Sequence, residues 1–123
     1  MEELTINVIG FYNRMTRNME VNHPLAYNLR KKLTSNKRYG FQLLDEEGKV
    51  IEEYTFKLAT KPYIISCEEG INNVSFTKGV KVSALEKLLE NEQDYIDKPF
   101  RTILKNFKYI FDGSVTFRKK KKT

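Results

Sequence analysis

Leu4, Ile6 and Val8 alternate with Thr5 and Asn7, and a period of two predicts a strand over residues 4–9. From Phe11 to Val21 two periods compete. Phe11, Met15 and Met19 are spaced by four, as on a helix, but together with Val21 they also share one strand face. The shared face is read here as a second strand. At His23-Pro24 the pattern changes, because proline suits a first helical turn where its missing N–H costs nothing. A helix is expected from about Pro24 to Ser35, burying Leu25, Leu29 and Leu33 and exposing Arg30, Lys31 and Lys32.

Tyr39–Leu44 and Lys49–Leu58 read as strands around Asp45-Glu46-Glu47-Gly48. Asp at the first turn position and a glycine at the fourth predict a type I turn followed by a left-handed residue, closing a hairpin. Tyr63–Glu68 and Val74–Val82 predict two further strands, joined through Gly70-Ile71-Asn72-Asn73. Ser83-Ala84-Leu85-Glu86 has the form of a capping box and opens a helix to about Tyr95. Asp97 and Pro99 start another to about Phe111, and Gly113–Phe117 reads as a last strand.

Segregated strands and helices predict an α+β fold: one domain over residues 1–117, a mainly antiparallel sheet and about three helices. A basic tail over 118–123, expected to be flexible, follows. Composition agrees with a folded domain, since 40% of the 123 residues are hydrophobic and 31% charged. No apolar run approaches the ~20 residues of a membrane span. Glu2 and Glu3 stand where a secretory signal is basic, so an intracellular (cytoplasmic) protein with no membrane partner is expected. Cys67 is the single cysteine, which excludes an internal disulfide and a thiolate zinc site.

Catalytic chemistry is scarce. Triads, Cys–His pairs and histidine metal clusters all need a histidine, and His23 is the only one. Its place before Pro24 is explained by helix capping. Cys67 lies in the apolar run from Tyr63 and reads as a small buried hydrophobe. The pairs Glu52-Glu53 and Glu68-Glu69 lie in strands, where neighbours point to opposite faces and do not converge on one metal ion. Glu46-Glu47 belongs to the hairpin tip. No enzyme, cofactor or metal is expected.

Charge is the remaining signal. The net charge is +6, from 22 basic and 16 acidic side chains. Without Arg118, Lys119, Lys120, Lys121 and Lys122 the balance is 17 against 16, so the basic character belongs mostly to the tail. On the expected helix after Asp97, steps of about 100° gather Phe100, Ile103, Leu104, Phe107, Ile110 and Phe111 into one apolar arc. Lys98, Arg101, Lys105 and Lys108 form a basic stripe beside it. Acids of the preceding helix (Glu86, Glu90, Glu92, Asp94) are the bland partners for that stripe. A strand returning along the helix would instead bring stripe and tail into one patch.

Lys37-Arg38-Tyr39-Gly40-Phe41 is similar to the start of the RNA-recognition-motif signature, whose strand aromatics stack on bases. It lacks the glycine after the basic residue and follows directly on the first helix, so it establishes no membership. The expected function is a small non-enzymatic nucleic-acid-associated protein. It would hold phosphates, of DNA or RNA, through Lys98, Arg101, Lys105, Lys108 and Arg118 to Lys122. The alternative is a protein-binding module, an inhibitor or adaptor acting through charge complementarity or an open strand edge. Lys, Asn, Ile, Phe and Tyr are 50 of the 123 residues, the codon bias of an AT-rich genome such as that of a phage or mobile element.

Overall fold

The computed structural model describes residues 3–98 and 115–119, the last three by their backbone alone. The N-terminal segment is one helix, α1 (Glu3–Asn22), and neither expected strand exists. The four-residue spacing prevails over the parity. Stepping about 100° per residue, Leu4, Thr5, Val8, Ile9, Phe11, Tyr12, Met15, Thr16 and Met19 fall within an arc of about 160°. Ile6, the residue that made the alternation look strand-like, lies opposite that arc and is exposed.

A second helix, α2 (Pro24–Thr34), follows with Pro24 in its first turn and His23 at its N-cap. The His23 side chain makes no capping bond, so proline alone sets this start. Then come β1 (Arg38–Leu44), β2 (Val50–Leu58), β3 (Ile64–Glu69) and β4 (Phe76–Lys81). The helices α3 (Val82–Glu90) and α4 (Glu92–Asp97) precede β5 (Val115–Lys119). One expected helix to Tyr95 is therefore two, divided at Asn91, whose backbone and side-chain amides both donate to the Lys87 carbonyl. The last strand runs two residues further than expected, so the backbone of Arg118 and Lys119 is paired into the sheet. The helix expected to reach Phe111 lies outside the described residues.

The sheet is five-stranded in the order β3-β2-β1-β4-β5. Three pairings are antiparallel, and β1 with β4 is parallel. The fold is a single α+β domain, as expected, with four helices among the described residues. The hairpin forms as read. Gly48 has φ +86°, its N–H donates to the Asp45 carbonyl at 3.0 Å, and Asp45 Oδ1 accepts the amides of Glu47 and Lys49.

One face of the sheet is the core. Phe41, Leu43, Tyr54, Phe56 and Val80 are buried there with Ala84 and Leu85 of α3, and Leu4, Val8 and Ile9 of α1 pack against them. A second cluster lies among the helices: Phe11, Met15 and Met19 of α1, Tyr27 of α2 and Tyr95 of α4. Thus α1 is the central element, packed on the sheet by its first half and on the other helices by its second. Asn13 ties it to the sheet edge, donating to the Ile64 carbonyl at 3.2 Å and accepting the Ile64 N–H at 2.8 Å. Among the described residues, no helix is long and apolar enough to cross a membrane.

Candidate functional site

The least expected feature is the orientation of α2. Place Leu25 at 0° and step about 100° per residue: Leu25, Leu29 and Leu33 span about 0–80°, while Arg30, Thr34 and Tyr27 lie at about 140–200°. The leucine row was expected inside, but the opposite face is the one attached to the protein. Tyr27 is buried among Phe11, Met15 and Met19. The Arg30 guanidinium stands 4.5 Å from the centre of the Tyr12 ring, donates from Nε to Tyr12 Oη at 3.1 Å and from Nη1 to Met19 Sδ at 3.8 Å. An aromatic anchor and a stacked arginine thus take the inner face, and the leucines are turned out. Leu25 is 86% exposed, Leu29 59% and Leu33 57%, and Val21 near the end of α1 is exposed too.

The inner face of α2 is packed on α1. Tyr39 of β1 packs its ring 4.4 Å from that of Phe76 on β4. Burial, first, and the neighbouring Tyr12 push the Tyr39 hydroxyl above the ordinary tyrosine range. Two register positions along, Lys78 pairs with Phe41. Because Phe76 and Val80 share its parity, Lys78 belongs to the core face of β4. Its amine is desolvated, and that burial, followed by the positive charge of Arg30, lowers its pKa. Phe41 itself stacks on Phe56 with ring centres 5.1 Å apart. Tyr39 and Phe41 therefore serve packing and are not base-stacking platforms.

At the end of α1, Tyr27 lies close to the Glu20 carboxylate without forming a geometrically complete hydrogen bond. Burial and Glu20 together push the Tyr27 hydroxyl up to about 12. Tyr63 donates to Glu20 Oε1 at 3.3 Å, and Lys61 is paired with Glu20 at 3.5 Å. Tyr27, Lys61 and Tyr63 hold Glu20 below the ordinary carboxylate range. This cluster pins α2 and β3 to α1.

Of the expected phosphate-binding residues, Lys98 is the exposed C-cap of α4, its N–H donating to the Asp94 carbonyl at 2.9 Å. Arg101, Lys105, Lys108, Lys120, Lys121 and Lys122 lie outside the described residues. Arg118 and Lys119 are placed by backbone only, opposite Thr77 and Phe76. Of the acids expected to neutralise the stripe, Glu92 is instead paired with Arg14 of α1. Among the described residues, no group of three His, Cys, Asp or Glu side chains is placed to hold a metal ion. Cys67 is half-buried on β3, where burial pushes its thiol up.

No protein-family model and no curated protein matches the chain. Among solved structures it is similar to sterol carrier protein 2 from Yarrowia lipolytica, at 12% identity and a TM-score of 0.44, over 84% of this chain and 80% of that one. It is also similar to sterol carrier protein 2-like 2 from Aedes aegypti, at 11% identity and a TM-score of 0.40, over 94% of this chain and 88% of that one. Both neighbours are sterol carriers by name, which is neither the nucleic-acid-associated protein nor the protein-binding module expected from the sequence. Arg14, Arg38 and Lys61 are paired with Glu92, Glu68 and Glu20, Arg30 is turned inward, and the outward row of α2 is leucine.

Proposed function

We propose that this chain is a non-catalytic lipid-binding protein that meets lipid through α2. One observation carries the reading: Leu25, Leu29 and Leu33 form an outward row on a helix whose opposite face is anchored by Tyr27 and Arg30. Soluble surfaces scatter single leucines, but an ordered row marks a contact surface. The chemistry of the contact follows from what flanks the row. The helix carries Arg30, Lys31 and Lys32 and no acid, and Lys32, at about 340° on the same wheel, borders the leucines. Apolar residues edged by lysine suit the interface of an anionic lipid, where the leucines enter the acyl boundary and the ammonium groups meet the headgroups. Such a contact needs no membrane-spanning segment.

The test is co-sedimentation with phosphatidylcholine vesicles, with and without an anionic phospholipid. The intact chain is expected to sediment with the anionic vesicles. A Leu25→Ser/Leu29→Ser variant, whose changes are at exposed positions, is expected to keep its fold and lose at least tenfold in vesicle affinity. Equal sedimentation of the two proteins would remove α2 as the lipid contact.

A further inference from the structure

The end of α2 carries a serine set among the residues that flank the leucine row. Ser35 is the C-cap, and its N–H donates to the Lys31 carbonyl at 3.0 Å. Its φ of −55° is still helical, while its ψ of 133° sends the chain out towards β1. The Cβ therefore keeps its helical direction, at about 280° on the wheel that sets Leu25 at 0°. Lys31 and Lys32 precede it by four and three positions, at about 240° and 340°, so both exposed lysines are its neighbours on the helix surface. The half-buried Ser35 Oγ donates to the Lys31 carbonyl, and to the Thr60 carbonyl at 2.6 Å. Together with the Asn36 N–H, which donates to the Ala59 carbonyl at 3.2 Å, it fastens the end of α2 to the segment before β3.

We propose that Ser35 is a phosphorylation site whose modification releases α2 from anionic lipid. This rests on the reading of α2 as the lipid contact and names its regulation. Arg30, Lys31 and Lys32 precede Ser35 and Lys37 and Arg38 follow it, the pattern read by a serine kinase with an acidic substrate groove. Thr34 has similar flanks, but its Oγ donates to the Arg30 carbonyl at 2.6 Å. Its position, at about 180°, is also on the attached face of the helix. In the reaction the Ser35 Oγ bonds to the γ-phosphorus of a nucleoside triphosphate and the bond to the bridging oxygen breaks. The diphosphate leaves with that electron pair, and the hydroxyl proton passes to the kinase's base. The phosphate brings a charge of about −2 beside Lys31 and Lys32, cancelling their attraction to anionic headgroups. It also removes the one proton that Ser35 Oγ donates, so phosphate oxygens face the Lys31 and Thr60 carbonyls. Negative charge then meets the negative end of the helix, and the last turn of α2, which carries Leu33, is loosened.

The test treats the full chain with Mg-ATP and the catalytic subunit of cAMP-dependent protein kinase, a basophilic serine kinase, and maps the phosphate by mass spectrometry. Phosphorylation is expected at Ser35 in the parent and at no position in Ser35→Ala. Treated and untreated chains are then sedimented with vesicles of phosphatidylcholine and phosphatidylserine. The phosphoprotein is expected to bind about tenfold more weakly or worse, while treated Ser35→Ala sediments like the untreated parent. Thermal melting separates a charge effect from unfolding: a cooperative transition is expected of the phosphoprotein, and its absence would overturn the switch. Phosphate at another position, or none, would overturn Ser35 as the site and leave the lipid reading standing. Equal sedimentation of phosphorylated and untreated chains would overturn the regulation alone. Failure of the untreated chain to sediment would overturn the lipid reading and the regulation with it.

Discussion

Glu46, at the tip of the hairpin between β1 and β2, accepts the backbone N–H of Ser83 at 3.3 Å, across 37 positions of sequence. Ser83 is the second residue of α3, and the capping box expected of Ser83 and Glu86 does not form. The first helical residue is Val82, with Lys81 at the N-cap in extended backbone and no side-chain cap from the helix itself. The carboxylate that meets the positive end of α3 comes instead from the neighbouring hairpin.

Glu46→Ala is therefore expected to cost about 0.5–1 kcal/mol through the lost contact at the helix terminus. Ser83→Ala should stay within about 0.5 kcal/mol of the parent, since the amide survives the change. Urea denaturation of both variants checks the order; a larger loss in Ser83→Ala would restore the capping box.

Gly48 has φ +86° and open space where a Cβ would stand, so substitution there strains the backbone without a clash. Gly48→Ala should cost about 1 kcal/mol, and Gly48→Asn less, because asparagine tolerates the left-handed region. Thermal melts of the two variants make the comparison, and equal midpoints would refute the backbone argument.

Asn13 holds both polar groups of Ile64, one as donor and one as acceptor. Asn13→Ala leaves a part-buried amide and carbonyl at the start of β3 without their partner, at an expected cost of about 1–3 kcal/mol. Asn13→Asp keeps the acceptor but loses the donor, and is expected to fall between. Hydrogen exchange at the Ile64 amide reads the effect locally: faster exchange is expected in Asn13→Ala, and parent-like exchange would show that the bond is not what protects it.

Tyr27 supplies the pH dependence. Burial and Glu20 raise its pKa in the folded protein from the ordinary tyrosine value of 10.0 to about 12, so the folded protein retains a proton that the unfolded chain releases. Its contribution to stability is full below pH 10 and is lost as pH rises through about 12. Tyr27→Phe should remove that alkaline decline while packing the same ring among Phe11, Met15 and Met19. Stability against urea, measured between pH 9 and pH 12, distinguishes the proteins. Parallel curves would mean that Tyr27 is not the group that titrates.

The local signals were legible wherever one residue dictates one backbone geometry. Asp45 and Gly48 encode their turn, Pro24 encodes a helix start, and the strands from Arg38 to Lys81 follow the runs that predicted them within about two residues. The leucine row of α2 was equally visible as a pattern. Its direction was not, because spacing identifies a stripe but not the partner that buries the other side.

What tertiary structure decided were the choices between equally consistent local patterns. Phe11, Met15 and Met19 satisfy both a helix and a strand by number alone. They form a helix because that geometry also brings Leu4, Val8 and Ile9 onto the sheet and meets Tyr27 and Tyr95 from the other helices. The same long-range packing turns Arg30 onto Tyr12 and leaves Leu25, Leu29 and Leu33 outside. It likewise gives the N-terminus of α3 a carboxylate from Glu46 in place of its own Ser83. Sequence determined the turns, the strands and the amphipathic stripes, whose causes lie within a few residues. Which stripe is covered depended on surfaces contributed by distant segments, because burial is a property of the assembled layers.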